Sequence, residues 1–148
     1  MDMKEAMGKV QKDIPVPPFA YFEKGADEKP HLRRELTDPA KVERIAEEWA
    51  REGLEMHQLN RFFRHCRSVE RMLKREKQSW EEARPTVDFL ASAAADAYSK
   101  SPPKIPPAFL QFIRNHVQRV QSAEDFCDGF LKHFEAVFGF AALHIKKG

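Results

Sequence analysis

Between Leu59 and Leu73, five apolar residues, Leu59, Phe62, Cys66, Val69 and Leu73, recur in steps of three, four, three and four. That spacing follows the turn of an α-helix and not the two-residue alternation of a half-buried strand. Turning about 100° per residue, the five side chains share an arc of roughly 80°. Arg64, Arg67, Arg71, Lys74 and Arg75 share another of roughly 100° on nearly the opposite side, with Arg61 at its edge. A chain with such a helix must bury one face of it and present guanidinium groups on the other.

The segment Leu59 to Lys77 carries seven Arg or Lys against two Glu, a local charge of +5 in a chain whose total is only +2. The rest of the chain is therefore slightly acidic, and the positive field is local. Arg67 with Arg71, and Arg71 with Arg75, are like charges one turn apart, each pair costing a few tenths of a kcal/mol. A face that is merely solvated would interleave acids with bases. A phosphate backbone offsets the cost, because guanidinium forks match phosphate oxygens and a helix repeats them at fixed spacing. Nothing in the segment is built to read base edges, so such binding would be blind to sequence. The candidate nucleic-acid contacts are Arg61, Arg64, Arg67, Arg71, Lys74 and Arg75. Arg114, Arg119 and Lys104 join them only if folding brings them alongside. Glu70 and Glu76 fall outside the basic arc and are expected to dilute it little.

Other segments repeat the helical period. Asp38 is a good N-cap with Pro39 at the first helical position, and Val42, Ile45, Ala46 and Trp49 follow until Gly53 offers a stop. The basic helix is expected over about Met56 to Gln78. Pro85 predicts a break, after which Val87, Leu90, Ala91, Ala94 and Tyr98 line one face of a third helix, rich in alanine and suited to close helix packing. The stretch "SPPKIPP" from Ser101 reads as a stiff connector. Beyond it Phe109, Phe112, Ile113, Val117 and Val120 form a fourth stripe. Ser122, with Asp125 as capping-box partner, opens a last helix carrying Phe126, Phe130, Phe134, Val137 and Phe138. Gly129 and Gly139 inside it each weaken the helix by roughly 1 kcal/mol relative to Ala, or let another group approach closely. No segment shows strand alternation. The expectation is an all-α bundle of about five helices over residues 36–148, preceded by a Pro-rich arm over residues 1–35 in which Phe19, Tyr21 and Phe22 are the residues able to pin part of it to the body or to a neighbour.

At 148 residues the chain suits one domain that needs no disulfide or metal to close its core. Cys66 and Cys127 sit within helical patterns, outside any zinc-binding spacing, and read as small buried hydrophobes. No two of His31, His57, His65, His116, His133 and His144 form a metal-ligand pair such as HExxH, and Gly-rich phosphate loops, GxSxG elbows and paired-carboxylate motifs are absent. His65, beside the basic arc, reads as a partly buried surface histidine rather than a phosphate donor. Arg51 and His57 have the Arg-(four to six)-His spacing of helical HEPN ribonucleases, yet Gly53 interrupts the helix that would present both. The reading is of a protein that is not an enzyme and needs no cofactor. No apolar run is long enough to span a bilayer and no signal-peptide core is seen, so a cytoplasmic location is expected. A membrane-surface role for the basic helix would take away an apolar face the core needs.

In order along the chain, "QLNRFFRHCRSVE", "RPTVDFLASA" and "FLKHFEAVFGFAAL" resemble segments of the Csm-type small subunit of type III-A CRISPR effector complexes. The resemblance spans roughly residues 36–145. It departs from the family pattern at Asn60 and Arg61, where that family has Arg then Lys, and at Ala93, where it has Arg; Arg64, Arg67 and Arg71 are placed to supply the lost charge. It implies an all-helical, non-enzymatic subunit. Several copies would stack head to tail beside the backbone and large subunits and line the channel that holds guide RNA and target RNA. An unrelated small helical nucleic-acid-binding regulator is the other reading; a two-fold dimer with fixed half-site spacing would mark it.

Overall fold

The computed structural model describes residues 20–145. Five helices make up the body: α1, Pro39–Arg51; α2, Met56–Lys74; α3, Trp80–Ser99; α4, Pro107–Arg119; and α5, Leu131–His144. A two-stranded antiparallel hairpin, β1 (Phe22–Lys24) with β2 (Pro30–Leu32), and a single 3₁₀ turn (Arg34–Leu36) precede them. The fold is the all-α bundle expected from the periodicity, with this small hairpin added.

The helical stripes bury as their spacing requires. Val42, Ala46 and Trp49 of α1, Leu59, Phe62, Cys66 and Val69 of α2, and Val87, Leu90 and Ala94 of α3 all lie inside. So do Phe109, Phe112 and Ile113 of α4, and Phe134 and Val137 of α5. The centre of the core is aromatic. The Trp49 ring meets Phe112 at 4.9 Å, Phe109 at 5.0 Å and Phe134 at 6.1 Å between centroids, all nearly edge-on, so three helices converge on one indole. Such edge-to-face pairs add about 0.5–1.5 kcal/mol each beyond the area they bury. Phe62 joins through Phe109 at 5.3 Å, which anchors the apolar face of α2. The most extensive helix pairing is α1 with α5, followed by α3 with α4; α3 buries the small side chains of Ala83, Ala94 and Ala97.

Several boundaries depart from the expectation. α2 stops at Lys74, not Gln78, and Lys77 adopts a left-handed conformation (φ 54°) that turns the chain. α3 does not wait for Pro85. It begins at Trp80, where Ser79 Oγ accepts from the Glu82 N–H at 3.1 Å and the Glu82 carboxylate accepts from the Ser79 N–H at 3.0 Å. That reciprocal cap satisfies two N–H groups of the first turn and holds the helix through Pro85, which lies exposed one turn further on. The last helix opens as expected, with Ser122 Oγ accepting from the Asp125 N–H at 3.0 Å, but Asp125 in turn accepts from Gln121 rather than from Ser122. Asp125–Phe130 then form a π-helical segment that runs directly into α5.

The hairpin was not anticipated because strands of three residues are too short to show alternation. It is held locally: the Asp27 carboxylate accepts from the Lys29 N–H at 3.0 Å and from His31 Nε2 at 2.8 Å. Its entry is pinned to the bundle by Tyr21, which is 1% exposed and whose hydroxyl lies 2.8 Å from His116 Nδ1. Gly129 makes room for that ring; a Cβ there would sit 2.7 Å from Tyr21 Cβ and Cγ. His133 Nδ1, buried nearby, donates to the Leu36 carbonyl at 2.6 Å and secures the far end of the same strap. Phe19 and the prolines before it lie outside the described residues.

Candidate nucleic-acid interface

All six bases of the predicted arc on α2 are exposed: Arg61, Arg64, Arg67, Arg71, Lys74 and Arg75. Their apolar counterparts are turned inward, Leu73 half-buried but packed against the core near the end of the helix. The rise of an α-helix puts about 10 Å between Arg64 and Arg71 and about 21 Å between Arg61 and Arg75. Arg71 and Lys74 also lie in the last turn of α2, where they offset the negative end of the helix. Arg67, Arg71, Lys74 and Arg75 border, with Glu70, an open recess of about 400 Å³.

The six are not equivalent. Arg67 bonds Glu70 at 3.0 Å and Glu135 of α5 at 2.9 Å, and its guanidinium carbon lies 4.9 Å from the centre of the Phe63 ring. Partial burial works against the charge of Arg67, but the two carboxylates more than reverse this and hold its pKa above the usual value. Lys74 lies 3.9 Å from Glu70 and 4.0 Å from Asp128, at the edge of ion-pair contact. Arg61, Arg64, Arg71 and Arg75 take part in no ion pair among the described residues; Arg61 lies 5.7 Å over the Phe62 ring. Glu70 therefore dilutes the arc more than its angle on the helix suggested, because it is three residues from Arg67 and four from Lys74. The acids Glu135 and Asp128 come from the last helical run, more than fifty residues further along the chain, and no local reading of α2 could have found them.

Arg114 and Arg119 stand on α4, which packs chiefly on α3 and α1. Arg119 is half-buried, with its charge acting on Tyr21 and His116, so its surroundings are the strap cluster and not the row on α2. Lys104 is exposed on the connector, its N–H closing the end of α3 on the Ala97 carbonyl at 2.9 Å. His65 Nε2 donates to the Thr86 carbonyl at 2.9 Å, a tie between α2 and α3. Arg51 ends α1 and lies 3.9 Å from Glu48, while His57 is on α2 and lies 3.7 Å from Glu55. A left-handed Gly53 (φ 96°) separates them, so one helix does not present the pair. Cys66 and Cys127 are both buried free thiols, and burial pushes both above their ordinary pKa.

A helical body that presents a row of exposed guanidiniums along α2, and in which no helix among the described residues is long and apolar enough to cross a membrane, defines a small all-α protein with a basic helix face. The family model for Csm2 Type III-A matches residues 34–146, from the 3₁₀ turn to the end of the bundle. The chain belongs to that family, the small subunit of type III-A CRISPR complexes. No curated protein and no solved structure matches the chain.

Proposed function

We propose that this chain is a non-catalytic, RNA-contacting small subunit that lies along the guide and target RNA of its effector complex in the cytoplasm, with the exposed face of α2 against the sugar-phosphate track. The observation that carries this reading is the row Arg61, Arg64, Arg71 and Arg75, all exposed on one face of a single helix and without an ion pair among the described residues. Four guanidiniums kept on one helix face, two of them repelling at one-turn spacing, are stabilised by a polyanion more than by water. In this reading Arg67 and Lys74, already engaged with acids, contribute less than the other four, and Arg114 and Arg119 are peripheral. A-form duplexes hide their major groove from side chains, so backbone contact suits a subunit that leaves sequence recognition to base pairing. Copies stack head to tail through two different surfaces, the acidic remainder of one copy providing a counterpart for its neighbour.

The test is to purify the tagged protein gently from its native host and to repeat this with Arg64→Glu/Arg71→Glu. Short RNAs sharing a repeat-derived handle, together with larger effector subunits, are expected with the wild type. In the reassembled complex the double reversal should weaken RNA association and flatten its salt dependence by about 0.7–0.9 per phosphate contact removed. Both residues are exposed, so circular dichroism should be unchanged. An unchanged salt slope would overturn the role assigned to α2.

A further inference from the structure

On the side of the bundle where α1 meets α5, Glu43 and Glu47 stand one turn apart on α1, and His144 occupies the last turn of α5. His144 Nε2 lies 2.8 Å from Glu43 Oε2 and 3.9 Å from Glu47 Oε1, and one donor atom from each residue falls within 4.8 Å of the other two. Among the described residues this is the group of three or more such side chains whose donor atoms converge. We propose that Glu43, Glu47 and His144 form a binding site for one divalent ion of the zinc class, clamping the first helix to the last.

Three observations support it. The donor set, one imidazole nitrogen and two carboxylate oxygens, suits zinc and its neighbours; magnesium prefers oxygen donors and retains its water. The charge is unbalanced: His144 is the ionic partner of both carboxylates, and a single imidazole leaves them net negative whatever its protonation state. The negative end of α5 adds to that potential. Finally, the backbone is preset. The two helices form the most extensive pairing in the bundle, with Val42, Ala46, Val137 and Ala141 buried between them, so only side-chain ends need to move. Zinc ligands at about 2.0–2.2 Å from the metal lie roughly 3.3 Å from one another in a tetrahedral site. Closing from the present spacing is within the rotamer freedom of a half-buried and an exposed glutamate. In the bound state Nε2 offers its lone pair to the ion and carries no proton, the imidazole proton residing on Nδ1. Water completes the fourth position.

The experiment is isothermal titration of the chelator-stripped full chain with ZnCl₂ and, separately, MgCl₂, with a thermal melt at each end point. Variants are Glu47→Gln, His144→Ala and, as a control on another histidine–carboxylate pair, His31→Ala. The wild type and His31→Ala should bind one zinc equivalent and melt at a higher temperature with it, while magnesium gives no saturable heat. Glu47→Gln and His144→Ala should lose more than about tenfold in affinity, a loss at least as large as altering groups outside the ligand shell produces. Glu47 is exposed, so its amide variant tests the site even if His144→Ala folds poorly. No zinc binding by the wild type, affinity held within twofold in Glu47→Gln, loss in His31→Ala, or equal binding of magnesium would each overturn the assignment.

Discussion

Two glycines in the last helical run allow one substitution to be read against itself. At Gly139 an added Cβ would meet nothing within 4 Å, so Ala there gains only helix propensity, about 1 kcal/mol. At Gly129 the same methyl would lie 2.7 Å from Tyr21 Cβ and Cγ, atoms next to the backbone of a side chain that is itself fully buried, so the conflict cannot be relieved by a swinging tip. Overpacking of this kind costs about 1–3 kcal/mol. Propensity cancels between the two variants, so their difference isolates the clash. Gly139→Ala should stabilise by about 1 kcal/mol, Gly129→Ala should range from neutral to about 2 kcal/mol destabilised, and the gap between them should be about 1–3 kcal/mol. Urea unfolding followed by circular dichroism measures both, and for a chain of this size the gap corresponds to several degrees in Tm. Adding Tyr21→Gly, which removes both Cβ and Cγ, should shrink the penalty at Gly129 and leave Gly139→Ala unchanged. Equal stabilisation by the two alanines would mean that the Tyr21 ring does not rest on Gly129, and the account of how the strap is held would fail.

Stability should also fall on mild acidification. Burial pushes both His116 and His133 below the usual imidazole pKa, further for His116, where the neighbouring His133 and Arg119 add to the effect, while the Leu36 carbonyl partly opposes it for His133. The unfolded chain therefore binds more protons below about pH 6.5, and the urea midpoint should decline from there toward pH 5 at up to about 1.4 kcal/mol per pH unit for each histidine; a midpoint flat over that window in the wild type, or equally steep in His116→Gln, would contradict it. Removing the cap with Ser79→Ala should cost about 0.5–2 kcal/mol and speed amide exchange in the first turn of α3, because Glu82 loses its reciprocal partner.

What could be read from the chain alone was whatever repeats at helical period. The stripes on α1 through α5 follow directly, since every third or fourth residue meets the same neighbours. Proline signals were less reliable: Pro85 predicted a break, but Ser79 and Glu82, already visible as Ser-x-x-Glu, nucleate the helix before it. The π-helical segment around Gly129 left no trace, because Phe126, Phe130 and Phe134 keep helical steps on either side of the widened turn. The basic face of α2 was legible as a set of six. Its division into four free bases and two engaged ones was not, since Glu135 and Asp128 arrive only through tertiary packing.

The pairing of α1 with α5 bears on how the chain is made. α1 leaves the ribosome well before α4 and α5, yet the buried Trp49 ring takes its aromatic cover from Phe109 and Phe112 of α4 and Phe134 of α5. The nascent chain must therefore carry an exposed indole until α4 and α5 have emerged, and closure around it depends on contacts distant in sequence. A chain truncated before α5 would lack that cover for α1, while α3 and α4, adjacent in sequence, would keep each other.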